Sequence, residues 1–300
     1  MPEQPLFDEK TRRKLEQLML QASRVRAGAI KGERRSIKRG TSIEFADYRN
    51  YSPGDDLRRL DWNIYARLDR PLTRLYEDEE DLAVHVLIDT SASMNYPADG
   101  EPDQHKFTYA RRLIAGLGYV SLTTNDRLVI ASLGGSSGSQ IFGPVRGRGY
   151  GSGLLSYAVG LKAQGVTDLN EALRAYALRS SRPGLCLIVS DLFSPTGYVD
   201  GLNTLLGKGF EVALIQVLSP DEVEPQITGD LRLIDSETGA AQEVSIDGGL
   251  RDLYMRRVRE WQESIRAECA KRGVHYVPVT TATAWEKVIL YDLRKLGLVR

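Results

Sequence analysis

The stretch Leu82-Ala-Val-His-Val-Leu-Ile88 is apolar apart from His85, and it runs directly into Asp89-Thr-Ser-Ala-Ser93. A short apolar run with a polar end is typical of a strand that is buried on both faces of a parallel sheet. A second run, Leu185-Cys-Leu-Ile-Val189, ends in the same way at Ser190 and Asp191. These two stretches predict a central sheet with polar loops at the ends of its strands.

Elements of alternating type extend outward from these two strands. A helix is predicted after residue 105, where apolar side chains recur at helical spacing at Phe107, Ala110, Leu113, Ile114 and Leu117. Further strands are predicted at 127–133, 140–142, 210–217 and 274–279, a hairpin between 230 and 247, and helices at 152–163, 168–179, 198–207 and 249–272. Thr283 and Glu286 have the spacing of a capping box for a last helix that stops at Gly297. Strands that alternate with helices predict an α/β fold, a Rossmann-like doubly wound and mostly parallel sheet.

The first 80 residues have a different pattern. Residues 8 to about 26 predict a charged amphipathic helix, and residues 27–80 are rich in Arg, Asp, Tyr and Gly without a long period. In the latter, alternating Asp and Arg favour an internal ion-pair network, and Trp62 with nearby tyrosines favours an aromatic cluster. We therefore expect an N-terminal helix plus an Arg/Asp/Tyr-rich segment over 1–80 and an α/β domain over 81–300.

Composition excludes several classes of protein. The 300 residues include 40 Lys+Arg and 40 Asp+Glu, so a protein that acts through bulk charge is excluded. Local charge remains, in a basic cluster at Lys31–Arg39 and an acidic cluster at Glu77–Asp81. Two cysteines are too few for a disulfide framework. With no signal-peptide pattern and no apolar run long enough to span a membrane, we expect a cytoplasmic protein.

Polar residues after the predicted strands form the candidate site. Ligands of open α/β sheets bind outside the carboxyl ends of the strands. Three loops place oxygen-bearing side chains there, in the order Asp89, Ser91, Ser93, Thr167 and Asp191. Two carboxylates with neutral hydroxyls suit a small hard dication, Mg²⁺ or Mn²⁺. Such a set leaves one coordination position open, which an acidic residue of another protein is suited to fill.

Each of these residues also has an ordinary structural interpretation. The Asp-x-Ser-x-Ser stretch fits a turn whose side chains cap the following segment. Thr167 precedes a predicted helix and fits an N-cap, and Asp191 fits a polar strand end. The metal hypothesis depends on their joint occurrence, each after the appropriate element.

Sequence patterns that would indicate an enzyme are weaker than those that indicate a metal site. Aspartyl phosphotransferases of the haloacid dehalogenase type need a second Asp two residues after the first, where this chain has Ser91. The stretch 147–153 lacks phosphate-loop spacing and predicts a flexible loop. The three histidines are scattered, and His85 within a strand predicts a structural, hydrogen-bonded side chain. We expect a protein that is not an enzyme, with a metal-dependent phosphohydrolase and a nucleic-acid adaptor that uses residues 31–39 as alternatives.

The five candidate ligands resemble the metal-ion-dependent adhesion site of von Willebrand factor type A domains. That site takes Asp-x-Ser-x-Ser from one loop, Thr from a second and Asp from a third, and all five positions match here across residues 81–300. The resemblance implies a Rossmann-like domain that binds a protein ligand through the metal.

The preceding segment resembles the signature of the domain-of-unknown-function 58 family. The match consists of Arg35-Ser36, Gly40-Thr-Ser-Ile-Glu44-Phe45-Ala-Asp47-Tyr48-Arg49-Asn-Tyr51-Ser-Pro-Gly54-Asp55-Asp56-Leu-Arg58-Arg59-Leu-Asp61-Trp62 and Ala66-Arg67. Members join this segment to a type A domain. The resemblance implies a MoxR-type AAA+ ATPase as partner, in a chaperone or complex-assembly role.

Overall fold

The computed structural model describes residues 6–22, 45–52, 57–76, 82–97, 103–134, 139–226, 229–234, 241–246 and 248–300. The chain divides into two compact units, one of Met1–Lys31 with Leu82–Arg300 and the other of Gly32–Asp81. The second unit ends beside the predicted boundary between residues 80 and 81. The N-terminal helix, which we expected to share a domain with the signature segment, belongs instead to the unit that carries the large sheet.

Ten strands form three sheets in the described residues. They are β1 (Phe45–Asn50), β2 (Leu72–Tyr76), β3 (Ala83–Asp89), β4 (Arg127–Leu133), β5 (Ile141–Val145), β6 (Leu185–Ser190), β7 (Glu211–Leu218), β8 (Gly229–Ile234), β9 (Ala241–Ile246) and β10 (His275–Thr280). The large sheet has the order β10-β7-β6-β3-β4-β5, and β1-β2 and β8-β9 are separate antiparallel pairs.

Five of the six strands of the large sheet are parallel, and only the edge strand β5 runs antiparallel to its neighbour. From the central strand β3 the chain first builds outward through β4 and β5, and it then returns to the other side of β3 with β6. The loops after β3, β4 and β6 therefore meet at a topological switch point, where α/β sheets bind ligands.

Helices of the first unit cover both faces of this sheet. The described residues form ten α-helices in all. They are α1 (Glu9–Leu15), α2 (Trp62–Leu68, in the other unit), α3 (Lys106–Thr123), α4 (Gly151–Gly160), α5 (Leu169–Arg179), α6 (Val199–Gly207), α7 (Pro220–Val223), α8 (Gly248–Arg272), α9 (Trp285–Lys287) and α10 (Leu293–Lys295), with a π-helical segment Val288–Asp292 between the last two. None of the described helices combines the length and the apolar character that a membrane crossing requires.

Side chains of β3 alternate between two cores because successive residues of a strand point to opposite faces. Val84, Val86 and Ile88 pack with α1, α3, α4 and the C-terminal helices. Leu87 packs with α5, α6 and α8 on the other face. The predicted mixed α/β architecture with a mostly parallel sheet is confirmed, and it is compatible with a Rossmann-like fold.

The N-terminal helix is shorter than predicted. It ends at Leu15 instead of continuing to about residue 26, and Leu20 forms a bridge with Val299. Main-chain hydrogen bonds join Met19 and Arg300 in both directions, at 3.0 and 2.8 Å. Pairing with the end of the chain supplies the hydrogen bonds that further helical turns would otherwise provide. Residues 23–26 lie outside the described part of the chain.

Two other local predictions are wrong. The last helical region starts at Trp285 after the N-cap Ala284, which has no side-chain capping bond, so Thr283 and Glu286 form no capping box. Thr283 N donates instead to Thr280 O, because a turn follows β10. The stretch 147–153 is a 3₁₀ turn at Arg148–Tyr150 followed by the start of α4, where we expected a flexible loop.

The second unit contains the described part of the signature segment. Asp61 caps α2 through Oδ1, which accepts hydrogen bonds from Asn63 N and Ile64 N, and its Oδ2 accepts a bond from Tyr48 Oη. Trp62 and Tyr65 meet edge to face, with ring centroids 6.2 Å apart, and both are largely exposed. Of the expected aromatic cluster, the described contacts include this one exposed pair. The ion-pair network includes Asp55 and Asp56, which lie outside the described residues, and it stays a prediction.

Candidate metal site

Asp89 lies at the carboxyl end of the central strand, and 2% of its surface is exposed. Its Oδ1 accepts a hydrogen bond from Ser91 N at 2.9 Å, so the loop folds back around the carboxylate. Its Oδ2 accepts a bond from Ser190 Oγ at 2.6 Å, at the end of β6. Parallel pairing of β3 with β6 brings the two strand ends together, as the sequence predicted.

The two serines of the first loop lie side by side. Ser91 Oγ and Ser93 Oγ are 2.9 Å apart, and Ser91 is almost fully buried. Two main-chain hydrogen bonds fix this loop to the segment before α5, from Ala92 N to Gly165 O and from Gln164 N to Thr90 O, both at 2.8 Å. The first and second predicted ligand loops are therefore joined directly.

Thr167 is buried beside the end of β4. Its Oγ1 donates to Leu133 O at 3.3 Å, and Thr90 Oγ1 donates to the same carbonyl at 3.1 Å. The N-cap of α5 is Asp168, whose Oδ1 accepts a bond from Glu171 N at 2.9 Å. The N-cap interpretation of Thr167 is therefore wrong, and its side chain faces the strand ends.

Gly134 makes the position of Thr167 possible. This glycine has φ +76°, and a Cβ added to it would lie 2.1 Å from Thr167 Oγ1. Only glycine adopts this conformation readily and also leaves room for the hydroxyl.

Asp191 is completely buried, immediately after β6. Its Oδ1 accepts a hydrogen bond from Phe193 N at 3.1 Å, and its Oδ2 accepts one from Lys106 Nζ at 2.7 Å. Its main-chain oxygen accepts a third bond, from Gln216 Nε2 of β7. The carboxylate is thus oriented by the loop after β6 and by α3, and the main chain of Asp191 is held by β7.

Lys106 is the functional candidate that the sequence analysis missed. It is the first residue of α3, its side chain is fully buried, and its Nζ lies 2.7 Å from Asp191 Oδ2 and 2.7 Å from Glu222 Oε1. The aromatic rings of Tyr96 and Phe193 lie 5.9 and 5.1 Å from the ammonium. A lysine directly before an apolar helix stripe was the available signal, but its partners are distant in sequence.

The carboxylates of the site oppose each other electrostatically. Burial raises the pKa of Asp89, and the negative charge of Asp191 raises it further, while the hydrogen bonds from Ser190 and Ser91 act in the opposite direction. Burial also raises the pKa of Glu222, against the nearby charge of Lys106. A dication near these carboxylates would favour their ionised forms, and carboxylate and hydroxyl oxygens are ligand types that Mg²⁺ and Mn²⁺ accept.

All five predicted ligands thus lie at one edge of the sheet, Asp89 at the end of β3 and the other four on neighbouring loops. Asp89, Ser91 and Ser93 form one bonded group, Thr167 joins it through the loop contacts, and Asp191 adjoins it through Ser190. The donor set is mixed, with hydroxyls outnumbering carboxylates. No cluster of three or more His, Cys, Asp or Glu side chains able to hold a metal occurs in the described ranges, so this candidate site depends on hydroxyl oxygens beside its two carboxylates.

The remaining candidate side chains have structural roles. His85 Nε2 donates to Arg182 O at 3.0 Å and its Nδ1 accepts from Tyr176 Oη at 2.6 Å, as expected for a structural histidine. Both cysteines are buried thiols whose pKa is raised by burial. The basic cluster at residues 31–39 and the acidic cluster at 77–81 lie outside the described residues.

A family model described as "Protein of unknown function DUF58" matches residues 47–264. The chain belongs to the DUF58 family. Among curated proteins it is 28% identical over 262 residues to "Uncharacterized protein Rv1480" of Mycobacterium tuberculosis, an alignment that covers 86% of this chain and 81% of that one. The "Uncharacterized protein MAV169" of Mycobacterium avium is 30% identical over 118 residues, 39% of this chain and 69% of the relative.

Two solved structures resemble this DUF58 protein at low sequence identity. One is the conserved hypothetical protein BatB from Bacteroides thetaiotaomicron, with a TM-score of 0.43, 16% identity and coverage of 72% of this chain and 98% of that one. The other is an aerotolerance-related membrane protein from Bacteroides fragilis, with the same TM-score and identity and coverage of 71% and 99%.

Proposed function

We propose that the α/β unit of this DUF58 protein is a von Willebrand factor type A-like module that binds a partner protein through Mg²⁺ or Mn²⁺. The metal would lie among the five residues at the sheet edge, Asp89, Ser91, Ser93, Thr167 and Asp191. The observation that carries the proposal is that two buried carboxylates and three hydroxyl side chains lie at the carboxyl ends of the parallel strands.

The residues would divide the task by their chemistry. The buried Asp89 supplies negative charge and is oriented by Ser190 Oγ and Ser91 N, so its ionised form needs no rearrangement on binding. Ser91 and Ser93 present neutral hydroxyl oxygens, which add ligands without further charge. Mg²⁺ at this site would act as a Lewis acid that accepts a carboxylate oxygen from the partner.

The partner would therefore contribute an exposed Asp or Glu. From the sequence resemblance we further propose that the protein acts together with a MoxR-type AAA+ ATPase, in chaperone or complex assembly. Under this proposal the protein works in the cytoplasm as a binding module and catalyses no reaction.

Calorimetric titration of the purified full-length protein with Mn²⁺ tests the metal site. We expect saturable binding by the wild type and its loss in Asp89→Ala. Asp200→Asn serves as the matched control, because Asp200 is an exposed aspartate in the first turn of α6. Equal Mn²⁺ binding by the wild type and Asp89→Ala contradicts the proposed site.

Capture of the purified MoxR-type ATPase from the same organism tests the partner. Binding that requires Mg²⁺, is abolished by EDTA and is lost in Asp89→Ala supports a metal-bridged contact. Binding that persists in EDTA contradicts it. Mg²⁺-dependent turnover of phosphoesters that is lost in Asp89→Ala would instead favour the hydrolase alternative, and salt-sensitive binding of an oligonucleotide would favour the adaptor.

A further inference from the structure

A fully buried ammonium is paired with one of the five candidate metal ligands, Asp191. Lys106 Nζ is 2.7 Å from both Asp191 Oδ2 and Glu222 Oε1, and Glu222 Oε2 in turn accepts a bond from Ser219 N at 2.8 Å. The lysine therefore links the start of α3 to the segments that follow β6 and β7. In this three-residue cluster, Lys106 with Asp191 and Glu222, only Asp191 is one of the five candidate metal ligands.

Both carboxylate oxygens of Asp191 already accept hydrogen bonds. Oδ1 takes Phe193 N, and Oδ2 takes the charged Lys106 Nζ, a bond about twice as strong as a neutral one. A metal that bonded Asp191 directly would have to share or displace that ammonium, and two like charges would then lie on one carboxylate. The lysine thus competes with a dication for Asp191.

The second carboxylate keeps the lysine in place. Glu222 is held by the main chain of Ser219 through a capping box at the start of α7. The rings of Tyr96 and Phe193 also lie near the ammonium, with centroids at 5.9 and 5.1 Å. Because Asp191 and Glu222 are each held by main-chain hydrogen bonds as well, the ammonium lies between two oriented carboxylates.

We propose that Lys106 is a positioning residue that withholds Asp191 from direct bonding to the metal and thereby lowers metal affinity. The inference rests on the proposed metal site. A metal held by Asp89 and hydroxyls alone retains more of its positive charge and more of its water. Both properties favour exchange of a metal-bound water for the carboxylate of a partner. Lys106 therefore lowers the affinity of the site for the metal and raises the affinity of the bound metal for the partner.

The test uses Mn²⁺ as the probe, with calorimetry for affinity and water-proton relaxation for the number of waters on the bound ion. Lys106→Met releases Asp191, and we expect the Kd for Mn²⁺ to fall by about tenfold or more. The relaxation enhancement per bound Mn²⁺ should fall as well, because Asp191 replaces a water. A lysine that only supports packing would leave the relaxation enhancement unchanged.

A double variant keeps the test decisive if Lys106→Met alone fails to fold. Lys106→Met combined with Glu222→Gln removes one positive and one negative charge together, so the net charge of the site is conserved while Asp191 is still released. We expect tighter Mn²⁺ binding and lower relaxation enhancement in this variant also. Glu222→Gln alone keeps the contact between Lys106 and Asp191, and it should not tighten binding.

The outcomes separate this inference from the proposed function. If the wild type binds Mn²⁺ and Asp89→Ala does not, but neither Lys106 variant binds Mn²⁺ more tightly, the proposed role of Lys106 is contradicted and the proposed metal site is supported. If neither the wild type nor any Lys106 variant binds Mn²⁺, the proposed function fails and the inference fails with it.

Discussion

Lys106 Nζ lies 2.7 Å from Asp191 Oδ2, and both side chains are fully buried. Removing one member of a buried ion pair leaves the other charge without compensation, which costs about 3–5 kcal/mol. We therefore expect Lys106→Met to lower the free energy of unfolding of the metal-free protein by about that amount, measured by urea unfolding in EDTA.

The matched control for this prediction is the variant that combines Lys106→Met with Glu222→Gln. One carboxylate is neutralised along with the lysine, so the loss of stability should be clearly smaller than for Lys106→Met alone. A double variant that is less stable than the single one would show that the ion pairs are not the source of the effect.

Gly134 provides a steric test of the second ligand loop. Gly134→Ala places a methyl group 2.1 Å from Thr167 Oγ1 at a position with φ +76°. We expect a loss of about 1–3 kcal/mol in unfolding free energy and weaker Mn²⁺ binding, because Thr167 must move. Gly160→Ala in α4 is the control, since an added Cβ there meets nothing within 4 Å. Identical Mn²⁺ affinity in the two variants would argue against a role for Thr167.

His85 predicts a dependence of stability on pH. Burial lowers the pKa of His85 to about 4 from an ordinary 6.5, and the charge of Arg127 acts in the same direction. Between pH 6.5 and about 4, His85 is therefore protonated in the unfolded chain but stays neutral in the folded protein. Stability is full above pH 6.5 and is lost as the pH falls, by about 3 kcal/mol once both states are protonated.

The measurement is the difference in unfolding free energy between pH 7 and pH 4.5 for the wild type and His85→Phe. Phenylalanine has no proton to bind, so the variant should lose less stability on acidification, even though it also lacks the bonds to Tyr176 and Arg182. An equal acid-induced loss in both proteins would contradict this assignment.

Leu15 tests whether the N-terminal segment is part of the α/β unit. Its side chain is 1% exposed and packs in the core that contains α3 and the C-terminal helices. Leu15→Ala should cost about 2–5 kcal/mol in thermal or urea unfolding. Met19→Ala, in the same segment but 46% exposed, should change stability by less than about 0.5 kcal/mol. Similar small effects in both variants would indicate that the segment is dispensable.

The strands of the large sheet were predictable because burial on both faces leaves little room for polar residues. Arg127–Leu133 has the predicted bounds, and the runs before Asp89 and Asp191 differ by only a residue or two. Helix ends were less predictable. The end of α1 depends on pairing between Leu20 and Val299, which local periodicity does not reveal.

The edge of the sheet where the candidate site lies was predictable for a related reason. Parallel strands end together, so residues after β3 and β6 had to meet once the order of strands placed them side by side. Lys106 was not predictable, since its burial depends on Asp191 and on Glu222, 85 and 116 residues away along the chain. The metal itself stays a prediction.

The most direct test of the metal site is a crystal structure of the full-length protein grown with Mn²⁺, with an anomalous difference map measured near the manganese absorption edge. We expect one strong peak at the carboxyl ends of β3 and β6, at bonding distance from Ser91 Oγ and Ser93 Oγ and beside Asp89. A map without a peak there, or a peak held by other residues, would contradict the central claim.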